Sequence, residues 1–245
     1  MTRPTTDTSG PRPRPAVERL AADLTERGVG DPLTDEFVTW LAGSSRFRGF
    51  ADTYRDKIRK KLRNATDPAT VRDVRAEILA ARLLLADRRF DVRFEAYGSG
   101  KGGPDLTLTF RGNETFDIEV TRLRRIPDAA GLGATIMAKL RQLTPSTPNV
   151  LLLAADAECA AAVDVAGAVR GLRGRADAKG EAFFIARGFE GSRAFYDRFL
   201  RLSAVLVWCE AADDDRATLW TNGSARIPLS DDAARACLAS LRAAM

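Results

Sequence analysis

Apolar side chains recur along this chain at two periods, and the change from one to the other marks out its elements. Val17, Leu20, Ala21 and Leu24 follow the 3.6-residue spacing of a helix, as do Phe37, Trp40 and Leu41. Between Arg46 and Arg63 the residues Phe50, Tyr54, Ile58 and Leu62 form one stripe, which predicts an amphipathic helix with a basic outer face. Asp67-Pro68 combines an N-cap residue with proline at the first helical position. The helix it opens carries Val74, Ile78, Ala81 and Leu85 on one face. Period two then takes over in three runs, 91–97, 105–110 and 115–123, which read as strands. Arg111-Gly112-Asn113-Glu114 reads as a hairpin turn between the second and the third. In the third run Phe116, Ile118 and Val120 face one way, and Asp117, Glu119 and Thr121 face the other. With the apolar set in a core, the polar set is expected to look into a cleft.

A helical stretch follows over 129–143, with Ile136, Met137, Leu140 and Leu143 inward and Lys139 and Gln142 near that stripe. Pro145 and Pro148 end it before an apolar strand at 149–155. Further on, the pattern predicts a helix near 159–170, a strand at 182–186, a helix at 192–200, strands at 203–210 and 217–221, and a C-terminal helix from Asp231. The expected class is α/β, a central mixed β-sheet flanked by helices, without internal repeats. Residues 1–15, rich in Pro, Thr and Arg, are expected to be a disordered tail. An N-terminal helical extension is expected over 16–66, and the α/β domain over 67–245.

Composition narrows the chemistry more than it identifies it. At 245 residues, the chain is long enough to bury a sizeable core. Histidine is absent, which removes Ser-His-Asp and Cys-His catalysis and the HExxH metalloproteases. Cys159, Cys209 and Cys237 are widely spaced and form no CxxC pair, so they read as buried thiols rather than a zinc site. No run reaches the roughly 18 apolar residues of a membrane span, and the first residues lack the apolar stretch of a secretory signal, so a cytoplasmic location is expected. A net charge of +5 is compatible with a polyanionic partner. Lysine occupies only six of the 38 basic positions, an arginine bias that a GC-rich coding sequence explains more simply than selection for phosphate contacts. The basic face that includes Lys57, Lys60 and Lys61 is the best candidate surface for phosphate contact, with Lys101 in the glycine-rich loop at 98–104 as a further candidate.

Acid-base work must therefore fall to carboxylates, lysine, tyrosine or metal-bound water. Three carboxylates stand out. Glu77 falls on the edge of its helix's apolar face, with no cation three or four residues away, and such a group needs a partner from elsewhere in the fold. Asp105 follows Gly102-Gly103-Pro104 at the start of the second strand, and Glu119 lies on the polar side of the third.

Helix with Glu77, strand, glycine-rich loop into Pro104-Asp105, hairpin, Glu119-x-Thr121, helix and apolar strand: this order resembles the restriction-endonuclease-like superfamily, the PD-(D/E)XK nucleases. The resemblance rests on residues 67–155 and implies a restriction-endonuclease-like core and metal-dependent hydrolysis of DNA. It makes Asp105 and Glu119 ligands of Mg2+ or Mn2+, and Glu77 an auxiliary acid. Thr121 stands where the pattern has a lysine, so the cation must come from a neighbouring element. Lys139 is the first candidate and Lys101 the second, while Arg122 points to the opposite strand face. The same substitution motivates an alternative, a catalytically inactive nuclease-fold protein that binds nucleic acid or a protein partner. A third reading keeps Glu77, Asp105 and Glu119 as solvated charges of an unrelated interaction protein. A homodimer fits the nuclease reading, since cutting both strands of a duplex calls for two sites related by a two-fold axis.

Overall fold

A computed structural model describes residues 15–96, 103–211 and 216–242. Residues 1–14 of the expected tail and Lys101 lie outside the described residues, and Pro15 already begins the first helix. The chain divides into two compact units, Met1–Thr66 and Asp67–Met245, and each is described by itself.

In the first unit, helices α1 (Pro15–Thr25), α2 (Pro32–Gly43), α3 (Ser45–Thr53) and α4 (Arg55–Asn64) pack around Leu24, Phe37, Leu41, Phe47 and Ile58, all buried. Asp31 caps α2 through the amides of Leu33 and Thr34, with Pro32 at the first helical position. The helix expected over 46–63 is broken at Tyr54, whose φ of −103° and ψ of 19° leave the helical region. The stripe nevertheless survives the break, with Phe50, Ile58 and Leu62 buried.

The second unit opens with α5 (Pro68–Ala86), capped by Asp67, which accepts hydrogen bonds from the amides of Ala69 and Thr70. Strands β1 (Phe90–Phe94), β2 (Leu106–Phe110) and β3 (Glu114–Arg122) form an antiparallel meander. In the turn between β2 and β3, Arg111 and Gly112 have φ of 49° and 75°, the left-handed pair that a tight hairpin demands. Helix α6 (Ala129–Leu140) then crosses over to β4 (Asn149–Ala155), which lies parallel to β3. Helices α7 (Ala157–Ala162), α8 (Val165–Asp177), α9 (Glu181–Ile185) and α10 (Ser192–Phe199) precede β5 (Leu202–Cys209), parallel to β4. Strand β6 (Ala217–Thr221) adds antiparallel at the edge, and α11 (Asp231–Arg242) closes the unit. The six strands run in sequence order across one mixed sheet. Among the described residues no helix is long and apolar enough to cross a membrane.

The strand expected at 182–186 is instead helix α9. Its aromatic side chains satisfy a cluster rather than a sheet: Phe184 is buried with its ring 4.6 Å from that of Phe195, and Phe189 and Phe199 also pack on Phe195. A five-residue apolar run does not reveal its period, and here packing selected the helix.

Two faces of the sheet differ in chemistry. Phe90, Val92, Phe94, Leu106, Leu108, Phe110, Phe116, Ile118 and Val120 share the apolar face of the meander, on which α5 packs. The opposite face of β4 and β5, through Leu151, Leu153, Val205 and Val207, supports the core built with Leu132, Ile136, Met137 and Leu140 of α6. Register with β4 places Asp117, Glu119 and Thr121 of β3 on that same side, level with Asn149, Leu151 and Leu153.

Candidate active site on strand β3

Three polar side chains of β3 meet three different surroundings under α6. Asp117 is 1% exposed and accepts hydrogen bonds from the hydroxyls of Thr107 (2.7 Å), Thr144 (2.9 Å) and Thr147 (2.8 Å). Its neighbour Asn149 ties the same connection down, donating to the carbonyls of Thr144, Thr147 and Arg201. Asp117 is thus an anchor for the segment between α6 and β4. The expected cleft is closed here, because a buried carboxylate with three donors needs no solvent.

Two residues on, Glu119 is 7% exposed, and its Oε1 accepts from Lys139 Nζ at 2.7 Å. Lys139 reaches it from the last turn of α6 and also donates to Gln142 Oε1 at 3.4 Å. The side chain of Lys139 remains 24% exposed, so the pair sits at the edge of the core rather than inside it.

Asp105 lies one residue beyond the β2–β3 ladder, which ends at the Leu106 and Ile118 pair. By extension of that register it stands opposite Glu119, and directly opposed residues on antiparallel strands have Cβ atoms about 5 Å apart. The Asp105 carboxylate Oδ2 accepts from the Val120 amide at 2.9 Å, and its carbonyl accepts from the Glu95 amide at 2.9 Å. Both bonds fix the strand end on which the carboxylate sits.

Thr121 follows on the same face. Its Oγ1 is buried and has no hydrogen-bond partner, although the residue borders a cavity of about 500 Å³ at the C-terminal end of β3. Arg122, Arg124 and Arg125 line the cavity, together with Asp128, Gly131 and Thr135 of the α6 N-terminus. Arg122 pairs with Glu210, which also meets Arg75 of α5 at 3.5 Å, so it lies on the side of the sheet away from Glu119. Arg124 pairs with Asp73, whose carboxylate holds the guanidinium above its ordinary pKa. The thiol of Cys159, beneath the Arg125 carbonyl, is pushed up by burial.

Glu77 is half-buried on α5, the helix that covers the apolar face of the sheet. It does not join Asp105 and Glu119 in a three-ligand group: among the described residues no set of three or more His, Cys, Asp or Glu side chains is arranged to hold a metal ion. Two carboxylates from adjacent strands remain. They fit Mg2+ or Mn2+ by donor type, since such ions take one or two carboxylates and complete their shell with water and phosphate oxygens.

On α4, Lys60 is exposed, while Lys57 and Lys61 are half-buried, with Lys57 Nζ 5.8 Å from the Tyr54 ring centroid. The arginines of that helix are engaged by α1. Asp23 accepts from Arg55 and Arg59, and Glu26 accepts from Arg63, so the basic face is partly neutralised. The Arg55 hydrogen bond lowers the Asp23 pKa, and the Arg63 hydrogen bond lowers that of Glu26.

Sequence reasoning missed Asp117 as an anchor and Asp23 and Glu26 as counter-charges. The first had a signal in the threonines of Thr144-Pro145-Ser146-Thr147-Pro148-Asn149, a polar segment between two apolar elements. Compared with known proteins, the chain matches no family model, no curated protein and no solved structure.

Proposed function

We propose that the second unit is a divalent-metal-dependent nuclease that hydrolyses phosphodiester bonds in DNA. The observation that carries this reading is Lys139 Nζ at 2.7 Å from Glu119 Oε1, on the strand face where Asp105 is the cross-strand neighbour of Glu119. The element order α5, β1, β2, β3, α6, β4, with the first four strands adjacent in the sheet, supports it as the order of a restriction-endonuclease-like core.

In this reading Asp105 and Glu119 hold Mg2+ or Mn2+ through carboxylate oxygens. When bound, the metal polarises the scissile phosphate and makes a coordinated water more acidic. Lys139 supplies the fixed positive charge that Thr121 lacks. Its ammonium is held by Glu119, so the cation is oriented before substrate arrives. The Val120 amide keeps the Asp105 carboxylate turned toward β3, and the Asp117 anchor holds the end of α6 that carries Lys139. Incubation with plasmid and single-stranded DNA in Mg2+ or Mn2+ tests the assignment; equal cleavage by wild type and Asp105→Ala would refute it.

A second reading, a nucleic-acid-binding protein without cleavage, draws on the same contact. Lys139 occupies one oxygen of Glu119 and the Val120 amide one oxygen of Asp105, an arrangement that also suits a purely structural ion pair. DNA binding without cleavage under any divalent metal favours it.

A further inference from the structure

The cavity at the end of β3 is not needed to build the Glu119–Lys139 pair, yet it adjoins that pair on two elements. On β3, Thr121 is two residues from Glu119 on one face, a separation of about 7 Å along the strand. On α6, the cavity residues Asp128, Gly131 and Thr135 are spaced by three and four, and Lys139 is the next position in that row. At about 500 Å³ the space is in the range of ligand pockets.

Its walls select a charge. Arg124 and Arg125 border it as basic residues and Asp128 as the acidic one, while the Arg122 guanidinium is turned to Glu210 on the other face of the sheet. The Asp128 carboxylate is engaged in capping α6, where Oδ1 accepts from the Gly131 amide at 2.7 Å. Asp73 holds Arg124 through Nη2, leaving further N–H groups on that guanidinium. Arg125 is exposed and has no carboxylate within ion-pair distance among the described residues. Thr121 adds a hydroxyl without a partner. A buried hydroxyl left unpaired is unfavourable, and rotation about Cα–Cβ gives it other staggered positions from which to meet a group in the cavity that Thr121 borders.

We propose that this cavity seats a phosphate group of the bound nucleic-acid strand next to the one being cut, with the Thr121 hydroxyl and the Arg125 guanidinium donating to its oxygens. The proposal rests on the nuclease reading for the nature of the strand but not for the presence of the anion site. Thr121 in place of lysine then has a role of its own: it holds the neighbouring phosphate, while Lys139 serves the reacting one.

The test is binding in EDTA, where metal-dependent cleavage is silent, so its outcome is separate from that of the cleavage reading. The full chain is titrated by fluorescence anisotropy against a labelled single-stranded oligonucleotide ending in a 5′-phosphate and the same oligonucleotide ending in a 5′-hydroxyl. Inorganic phosphate serves as competitor. Thr121→Val is expected to weaken binding about tenfold with an unchanged or higher Tm, because it removes a donor to a charged oxygen and a buried unpaired hydroxyl together. Thr121→Ser should bind like wild type. Arg125→Ala should weaken binding and reduce the salt slope by about one. Equal loss with both oligonucleotides identifies an internal phosphate, loss confined to the 5′-phosphate form a terminal one, and competition by inorganic phosphate alone a free anion. Wild-type binding by both Thr121→Val and Arg125→Ala, equal loss in the Val and Ser variants, or no binding of either oligonucleotide by wild type would each overturn the proposal. Cleavage abolished by Asp105→Ala beside undisturbed binding by Thr121→Val would remove the cavity proposal and leave the nuclease reading standing.

Discussion

Replacing Lys139 by methionine keeps the stem and the helix propensity of α6 but removes the ammonium that donates to Glu119 Oε1. The carboxylate it leaves behind is 7% exposed and stands beside Asp105, so it loses this charge-assisted hydrogen bond where little water can replace it. Breaking a fully buried ion pair costs about 3–5 kcal/mol. Lys139 retains 24% of its side-chain exposure, which lets solvent share the load, and the expected loss of stability is about 2 kcal/mol. Removing the second charge as well should reverse most of it. Lys139→Met combined with Glu119→Gln is expected within about 1 kcal/mol of wild type, because two neutral groups no longer demand each other. Urea unfolding of the four proteins, followed by circular dichroism and compared at equal m, measures the cycle. A single Lys139→Met loss below about 0.5 kcal/mol, or simple additivity of the two changes, would show that the contact holds neither charge in place.

Asp117→Ala removes an acceptor shared by three threonine hydroxyls, of which Thr144 keeps Asn149 Oδ1, and should cost about 3–5 kcal/mol, against about 1–2 for Asp117→Asn, again by urea unfolding; equal costs would mean that charge plays no part in the anchor. The Asp23 carboxyl is held below its ordinary value of 3.8, chiefly by the Arg55 hydrogen bond. A lowered folded-state pKa adds stability that is complete above the unfolded value and lost as pH falls through the folded one. The stability gap between wild type and Asp23→Asn should therefore be constant above about pH 5 and close in more acidic solution, and a gap that widens on acidification would contradict the pairing. Burial pushes the Cys237 thiol far up, and Cys159 and Cys209 are buried too. An aromatic disulfide reagent should label none of the three in native protein at neutral pH and all three after denaturation, whereas rapid native labelling of Cys237 would require that α11 opens.

Periodicity made the sheet legible because its strands obey one rule each. The alternation in β3 separates Phe116, Ile118 and Val120 from Asp117, Glu119 and Thr121 before any packing is known, and the observed register keeps that division. Asp-Pro and the apolar spacing did the same for α5, whose start needs only local hydrogen bonds. Helix α9 was not legible, since Phe184 is governed by Phe195, which follows it by eleven residues and packs from another helix. Nor was the fate of Asp117. Its donors come from β2 and from the segment after α6, and no spacing along the chain brings them together. Lys139 could be named from sequence as the first lysine after β3, but only α6 lying antiparallel over the strand puts Nζ on Glu119 rather than in solvent. The neutralised face of α4 shows the converse, because Asp23 and Glu26 lie more than thirty residues before the arginines they meet.

In the proposed reading, Asp105, Glu119 and Lys139 form a metal-dependent phosphodiesterase centre. Cleavage of plasmid and of single-stranded DNA by the full chain in Mg2+ and in Mn2+ tests it most directly, with Asp105→Asn, Glu119→Gln and Lys139→Met measured beside wild type at matched folding. Wild type is expected to cleave and EDTA to abolish that cleavage, with losses of about a hundredfold or more in each variant. Cleavage undiminished in Asp105→Asn, or no cleavage by wild type with either metal, would contradict it.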